Sequence, residues 1–407
     1  MKQVLHKLLE KENINSLLLA IVFCAPMLSF MINVNNCLPI TVICVLIISA
    51  IVNRKTLFKK RSFNYLLLIS FIIFLAIIVY QCIVGKFDNF LIERIMYFLG
   101  LGIPACLTVK IIIDSSEEGI NFKKCIYCLL GIYGIISLIL YQTDFWRYTP
   151  KERMSISYYL LPFYIGVVLD LFMNWKIGIK KNLIKYIVYI TVFGPLLNFL
   201  FVHASRGVFL AIAVAIVLCI ICNLKNVKQK IISIGVILII AIILLIFAEN
   251  ILGAIKQITD KFNISLSMVD KNLYLLEQGE IGDGRDEIYE NALKGITEHP
   301  ILGNGIGRFD FDYGTYPHNL ALQLLYEGGI VFLIIMFAPI VMTFILLIFR
   351  DKTKVKNRYL LIFLIGSSIV KLMLSYEFWS DEFFWMILYL SYRILNQEIK
   401  RRRIING

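Results

Sequence analysis

The chain has 407 residues, of which 59% are hydrophobic, a mean hydropathy of +0.78 and a net charge of +13. A soluble domain is nearer half apolar, and several runs here approach the roughly 20 apolar residues that cross a bilayer, so soluble classes are excluded, as is a β-barrel, which needs alternating segments of about ten residues. The positive charge sits in short loops between apolar runs, which fits a membrane protein and not a nucleic-acid binder; no nucleic acid is expected as a partner.

Twelve membrane helices are predicted, at about residues 15–34, 37–52, 64–84, 92–113, 124–142, 156–174, 184–202, 207–222, 231–249, 328–349, 359–376 and 383–396. The first is followed by many others, so it is a membrane helix rather than a cleaved signal peptide. Basic residues gather in alternate loops: Lys2, Lys7 and Lys11, then 54–61, Lys123 and Lys124, 176–185, 225–230, 350–358 and the tail 400–403. This bias places both termini in the cytoplasm and the long polar stretch from Glu249 to Pro317 outside. The expected fold is all-α: a polytopic membrane protein with about 12 transmembrane helices and one large outward-facing helical loop. It divides into 1–249 with helices one to nine, a loop 250–327 bearing the candidate motifs, and 328–407 with the last three helices and a basic tail.

Cys125-x-x-Cys128 and Cys219-x-x-Cys222 have the spacing of metal or redox pairs. They lie near the ends of apolar helices, where Cys at i,i+3 reads as a small apolar residue. Neither a metal nor a cofactor is expected.

Within the loop, Asp283 is a suitable N-cap for a helix whose first turn is acidic and whose Ile288, Ala292 and Ile296 share one face. That helix ends before Pro300. Gly303-x-Gly305-x-Gly307 lacks the strand and βαβ unit of a dinucleotide site. It reads as a tight turn that lets backbone approach a neighbour or a substrate. An aromatic, acidic turn follows at 309–313. Pro317 then starts an amphipathic helix with His318 in its first turn, feeding the tenth membrane helix after Gly328-Gly329.

Arg206 interrupts an apolar stretch at His203-Ala204-Ser205-Arg206-Gly207. Gly207 permits a tight turn there. An arginine at membrane depth either snorkels to the headgroups or serves function, and its guanidinium fork suits phosphate oxygens. Arg285 opens a loop helix, where backbone N–H groups favour an anion; the alternative is a solvated surface arginine. His318 could accept a proton from a hydroxyl near neutral pH, or be a hydrogen-bonded interfacial residue. Arg147, Lys151 and Arg153 break the charge rule on an outer loop and could guide an anionic headgroup. Glu377, Asp381 and Glu382 could meet sugar hydroxyls or a charged partner, beside Trp379, Phe383, Phe384 and Trp385 as an interfacial belt. Glu93 and Arg94 are expected to pair, and Lys371 to snorkel outward.

Four pieces carry a resemblance. They are Ser205-Arg206-Gly207 between two helices, Arg285 near the start of a loop helix, His299-Pro300-Ile301-Leu302-Gly303-Asn304-Gly305, and His318-Asn319-Leu320 through Tyr326-Glu327-Gly328-Gly329. In this order and spacing the chain resembles the O-antigen ligase and polymerase family, the membrane glycosyltransferases that build bacterial surface polysaccharides. The resemblance covers residues 200–335, about a third of the chain. It implies a glycan carried on undecaprenyl diphosphate at the outer leaflet of the bacterial cytoplasmic membrane. It implies that Arg206 and Arg285 hold the diphosphate and that His318 acts on the acceptor hydroxyl. Ser205, Gly207, Gly303, Gly305, Asn319, Glu327 and Arg153 are then candidates for binding substrate. A chain-length regulator and a flippase are candidate partners, with membrane lipids around them.

A ligase of this family would transfer the glycan to lipid A core, and a polymerase to the next lipid-linked repeat unit. The Ile-, Lys- and Asn-rich composition points to an AT-rich genome, a class that includes many hosts without lipid A, and so favours the polymerase. The alternative of another class is a transporter or flippase for the same lipid-linked sugar. A transporter would show related halves and mid-membrane charge on several helices, whereas charge here gathers on the outer side.

Overall fold

The computed structural model describes residues 10–32, 37–57, 65–83, 88–115, 120–142, 150–174, 179–203, 205–262, 266–277, 285–350 and 357–406. Among them helix is the one regular structure, and no strand is present. In a bilayer a spanning backbone must satisfy its own N–H and C=O groups, and a helix does so within one segment.

The apolar helices are α1 (Lys11–Ile32), α2 (Cys37–Val52), α3 (Tyr65–Ile83), α4 (Asn89–Asp114), α5 (Phe122–Gln142), α6 (Glu152–Asn174), α7 (Ile179–His203), α8 (Arg206–Asn223) and α9 (Val227–Ile246). The long polar stretch folds into α10 (Ala248–Lys261), α11 (Ser267–Glu277), α12 (Asp286–Glu298) and α13 (Arg308–Tyr313). Three helices follow: α14 (Leu320–Phe349), α15 (358–374) and α16 (Glu382–Asn406).

Among the described residues each of the twelve predicted apolar segments is mainly helical, with the eleventh ending at 374 rather than 376. Six helices among the described residues are long and apolar enough to cross a membrane, namely α1, α4, α5, α6, α8 and α14, and a seventh is formed if α9 and α10 are one bent span. Segments 37–52, 67–83 and 189–202 are apolar but shorter. The architecture is therefore that of a polytopic membrane protein, without twelve full spans being established.

Helix α16 is the hub. Residues 381–392 are buried without interruption, and α4, α14 and α15 pack against it. A helix buried all round belongs at the centre of a bundle. This corrects the expected interfacial belt: Trp379, Phe383, Phe384 and Trp385 are core residues, Trp385 meeting Trp379, Phe384 and Phe98, Trp379 meeting Phe74, and Phe383 meeting Phe23 and Phe363. Their large rings gain more from burial than their polar edges lose, because Trp379 Nε1 donates to Glu327 Oε2 at 2.8 Å and Trp385 Nε1 to the Trp379 carbonyl at 3.3 Å. By contrast, α9 exposes Ile231, Ile232, Val236, Leu238, Ile239 and Ile240, a face suited to lipid.

Lys371 also departs from expectation. It is buried rather than snorkelling, with Nζ 2.6 Å from Asp381 Oδ2 and 4.6 Å from the Tyr376 ring centroid. An ion pair this enclosed persists because each charge is the other's solvation. Cys125 and Cys128 lie on α5, and Cys219 and Cys222 on α8, all as free thiols.

Candidate functional site

The site is built on a junction between helix and loop. Gly329 adopts φ +62° and interrupts α14, which leaves backbone groups on both sides without helical partners. Segment 300–305 supplies them. The Tyr326 carbonyl accepts from Asn304 N at 2.7 Å and the Glu327 carbonyl from Gly305 N at 3.1 Å. In return Ile330 N donates to the Pro300 carbonyl at 2.9 Å and Val331 N to the Ile301 carbonyl at 3.4 Å. The two glycine-bearing motifs are thus halves of one structure. The expected tight turn is present, and the neighbour its backbone approaches is α14.

Gly303 makes the closest approach. It has φ +71°, and a Cβ there would lie 2.5 Å from the Gly328 nitrogen. Gly314 has a similar φ of +68° but open space around it. Gly303→Ala should therefore cost roughly 2–5 kcal/mol, from left-handed strain plus overpacking, and Gly314→Ala only about 1–2 kcal/mol from strain. Thermal unfolding of the two variants in the same detergent checks this; equal destabilisation would show that the junction tolerates a side chain.

Beside the junction, the C-terminal end of α15 gathers the candidate residues. The last carbonyls of a helix lack intrahelical partners. Here three consecutive ones are taken by side chains from the loop. Asn319 Nδ2 donates to the Met373 carbonyl at 3.3 Å, Arg285 Nη1 to the Leu374 carbonyl, and the Tyr316 hydroxyl to the Ser375 carbonyl at 2.7 Å. Arg285 also complements the negative end of the helix dipole.

The start of α8 reaches the same place. Arg206 is its first helical residue and Ser205 its N-cap, with no side-chain cap on the first-turn N–H groups. Gly207 packs so closely that a Cβ would collide with the Tyr158 hydroxyl and lie 3.3 Å from Leu374 Cδ1. Gly207, the residue after Arg206 on α8, and the side chain of Arg285, which precedes α12, therefore both reach Leu374. A helix N-terminus and a guanidinium charge both suit an anion. Ser205 Oγ lies 3.5 Å from Ser157 Oγ on α6. Arg153 is half-buried on that helix one turn earlier. Arg147 and Asp283 lie outside the described residues, as does the side chain of Lys151.

His318 is not in a helix, contrary to expectation. Asn319 is the N-cap of α14, its Oδ1 accepting from Ala321 N at 3.0 Å and Leu322 N at 3.2 Å. This leaves His318 in the loop at φ +52°. A non-glycine residue there costs on the order of 1–2 kcal/mol and needs its surroundings to hold it. Those surroundings are Tyr316, whose ring centroid is 4.1 Å away, and Thr315, whose Oγ1 is 3.5 Å from Nε2. Nδ1 is buried without a hydrogen-bond partner. Burial, and then the charge of Arg285, lower the imidazole pKa, with a smaller opposing pull from the Ser375 backbone. The ring is thus kept neutral and able to accept a proton.

Glu327 is fully buried and used internally: Oε1 accepts from Gln323 Nε2 at 3.0 Å and Oε2 from Trp379. Gly303 and Gly305 likewise serve the junction, and a Cβ at Gly305 would strike the Gln81 amide. A cavity of about 300 Å³ lies behind this segment, between 298–305 and Ile77, Tyr80 and Gln81 of α3; Arg206, Arg285 and His318 do not line it.

One buried cluster was not anticipated. Arg94 contacts Glu93 at 3.5 Å as expected, but its closer partners are Glu377 Oε2 at 2.7 Å and Asp310 Oδ2 at 3.1 Å. Burial pushes the Glu377 carboxyl up to about 8 against the opposing pull of Arg94, with Asp310 raising it further. Asp310 is raised by burial too, again opposed by Arg94. The signal was available: Arg94 is a lone arginine in an apolar run, as Arg206 is.

Residues 191–337 match the family model described as O-antigen ligase. The match contains Arg206, Arg285 and His318 and excludes Arg94 and Glu377. Over this span, about a third of the chain, the sequence is similar to that family, whose members are glycosyltransferase-like enzymes acting on lipid-linked glycans. No curated protein matches the chain.

Proposed function

From its O-antigen ligase family domain, we propose that this chain is a bacterial surface polysaccharide polymerase. It transfers a glycan from undecaprenyl diphosphate to a hydroxyl of another lipid-linked repeat unit, with inversion and without a metal. The observation that carries this reading is that Gly207 beside Arg206, the Arg285 guanidinium and the segment bearing His318, whose imidazole pKa is lowered, all reach the end of α15.

In the reaction the acceptor hydroxyl oxygen attacks the anomeric carbon, and the bond from that carbon to the diphosphate oxygen breaks. His318 takes the hydroxyl proton. Negative charge develops on the departing lipid diphosphate, where Arg206, Arg285 and the first-turn N–H groups of α8 stabilise it. Arg153, one turn from Ser157, extends the positive surface toward the headgroup. Asn319 holds the segment that presents His318. The loop faces outward from the cytoplasmic membrane with both termini inside, in keeping with the alternating basic loops. A flippase would deliver the donor, and a chain-length regulator would act on the product.

A second reading has its own support. The matching model is described as a ligase, so transfer to lipid A core is the competing reaction on the same machinery. Purified protein reconstituted with lipid-linked repeat units, with and without a core acceptor, separates the two. A ladder of extended glycans without core is expected. Products that form only when core is supplied would assign the chain as a ligase, and no product in either arm would remove the glycosyltransferase reading.

A further inference from the structure

Arg94, Asp310 and Glu377 come from three distant parts of the chain: α4, α13 and the segment between α15 and α16. One guanidinium nitrogen, Nη2, serves both acids, at 2.7 Å to Glu377 and 3.1 Å to Asp310. The three side chains are only 5, 10 and 12% exposed for Arg94, Asp310 and Glu377. Each acid belongs to one wall of the site. Glu377 comes two residues after Ser375 and three after Leu374, the residues whose carbonyls receive Tyr316 and Arg285. Asp310 lies on the short helix that leads into Tyr316 and His318. That helix is packed down through buried Phe309, and the neighbouring Asp312 accepts from the Tyr326 hydroxyl at 3.2 Å.

We propose that Arg94 is a positioning residue, whose guanidinium ties the loop bearing His318 to the segment against which that loop docks. Without it the two walls would be joined locally by the three hydrogen bonds to the carbonyls of α15. A buried ion cluster is a poor way to add stability, because desolvation offsets much of the attraction. It is a good way to fix one geometry. Arginine suits the task because its guanidinium is rigid, so the directions of its N–H groups are fixed, whereas a lysine ammonium is a rotatable point charge on a flexible stem. The proposal rests on the assignment of His318 above.

The test compares Arg94→Lys with the charge-balanced pair Arg94→Gln/Glu377→Gln, each counted per folded molecule. Misplacement of a reacting group by about 1 Å costs on the order of 100-fold. The double variant should therefore lose about 10- to 100-fold in kcat while KM for the lipid-linked donor changes by less than about twofold, and Arg94→Lys should recover part of that loss. A purely structural role would lower the yield of folded protein and leave kcat of the folded fraction intact. That result, or a change confined to KM, overturns the proposal. An arm independent of turnover measures carbethoxylation of His318 by peptide mass spectrometry, with exposed His299 as internal control. His318 should react severalfold faster in the double variant, and an unchanged rate overturns the proposal even if the assigned reaction is wrong.

Discussion

Replacing His318 with alanine should abolish glycan extension and leave single repeat units, while the protein remains folded in the membrane. Loss of a general base typically costs 10²- to 10⁴-fold, and kcat should carry the loss. Fold is expected to survive because the side-chain contact of the imidazole with Thr315 is long, at 3.5 Å, and the Tyr316 and Asn319 bonds that dock the segment do not involve the ring. A His318→Ala variant that builds chains of normal length would end the assignment. The pH profile is a finer test. Burial and Arg285 hold the His318 pKa below its usual value, so the proton-accepting form persists to lower pH, and kcat/KM should fall only on the acid side of the ordinary imidazole range. Arg285→Gln removes a positive neighbour, which raises the His318 pKa and moves that acid limb to higher pH. Arg285→Lys keeps the charge and should leave the limb in place.

The second large effect concerns the arginines themselves. Arg206→Gln and Arg285→Gln should each lower kcat by about 10²- to 10³-fold, the usual loss when one preorganised donor to a developing anion is removed. Because both are assigned to the same diphosphate, the double variant should lose less than the product of the single losses. Arg206→Lys should fall between wild type and Arg206→Gln, since charge remains but the fork does not. The two positions differ in one respect. Arg285 also caps the end of α15 through the Leu374 carbonyl, so its loss should lower thermal stability as well, by about 1.5–3 kcal/mol for a hydrogen bond to a charged group. Full activity in Arg206→Gln would place the anion elsewhere.

The sequence was most legible where chemistry conflicts with surroundings. A charge in an apolar run is conspicuous, so Arg206 stood out, and its order with Arg285 and His318 identified a family. Long apolar runs marked the membrane helices, six or seven of which are long enough to span among the described residues. What could not be read was pairing across the chain. Nothing periodic links Arg94 with Glu377, or Lys371 with Asp381; in each case an exposed-looking charge finds its partner only after folding. Trp379, Phe383, Phe384 and Trp385 read as an interfacial belt because Trp favours headgroups. Its hydrogen-bond partners, Glu327 and the Trp379 carbonyl, lie in the interior. The start of α14 was misplaced by three residues, since Pro317 is a good helix opener but the Asn319 side chain is the one that caps the turn.

The interruption at Gly329 also bears on how the protein is made. Helix α14 cannot complete its own backbone bonding: Tyr326, Glu327, Ile330 and Val331 rely on residues 300–305 for it. Unmet peptide groups are costly wherever lipid excludes water. The helix can therefore enter the membrane as a translocated segment yet reach its final form only when the preceding loop folds back onto it. Folding of the last third of the chain is in this sense conditional on a segment synthesised before it.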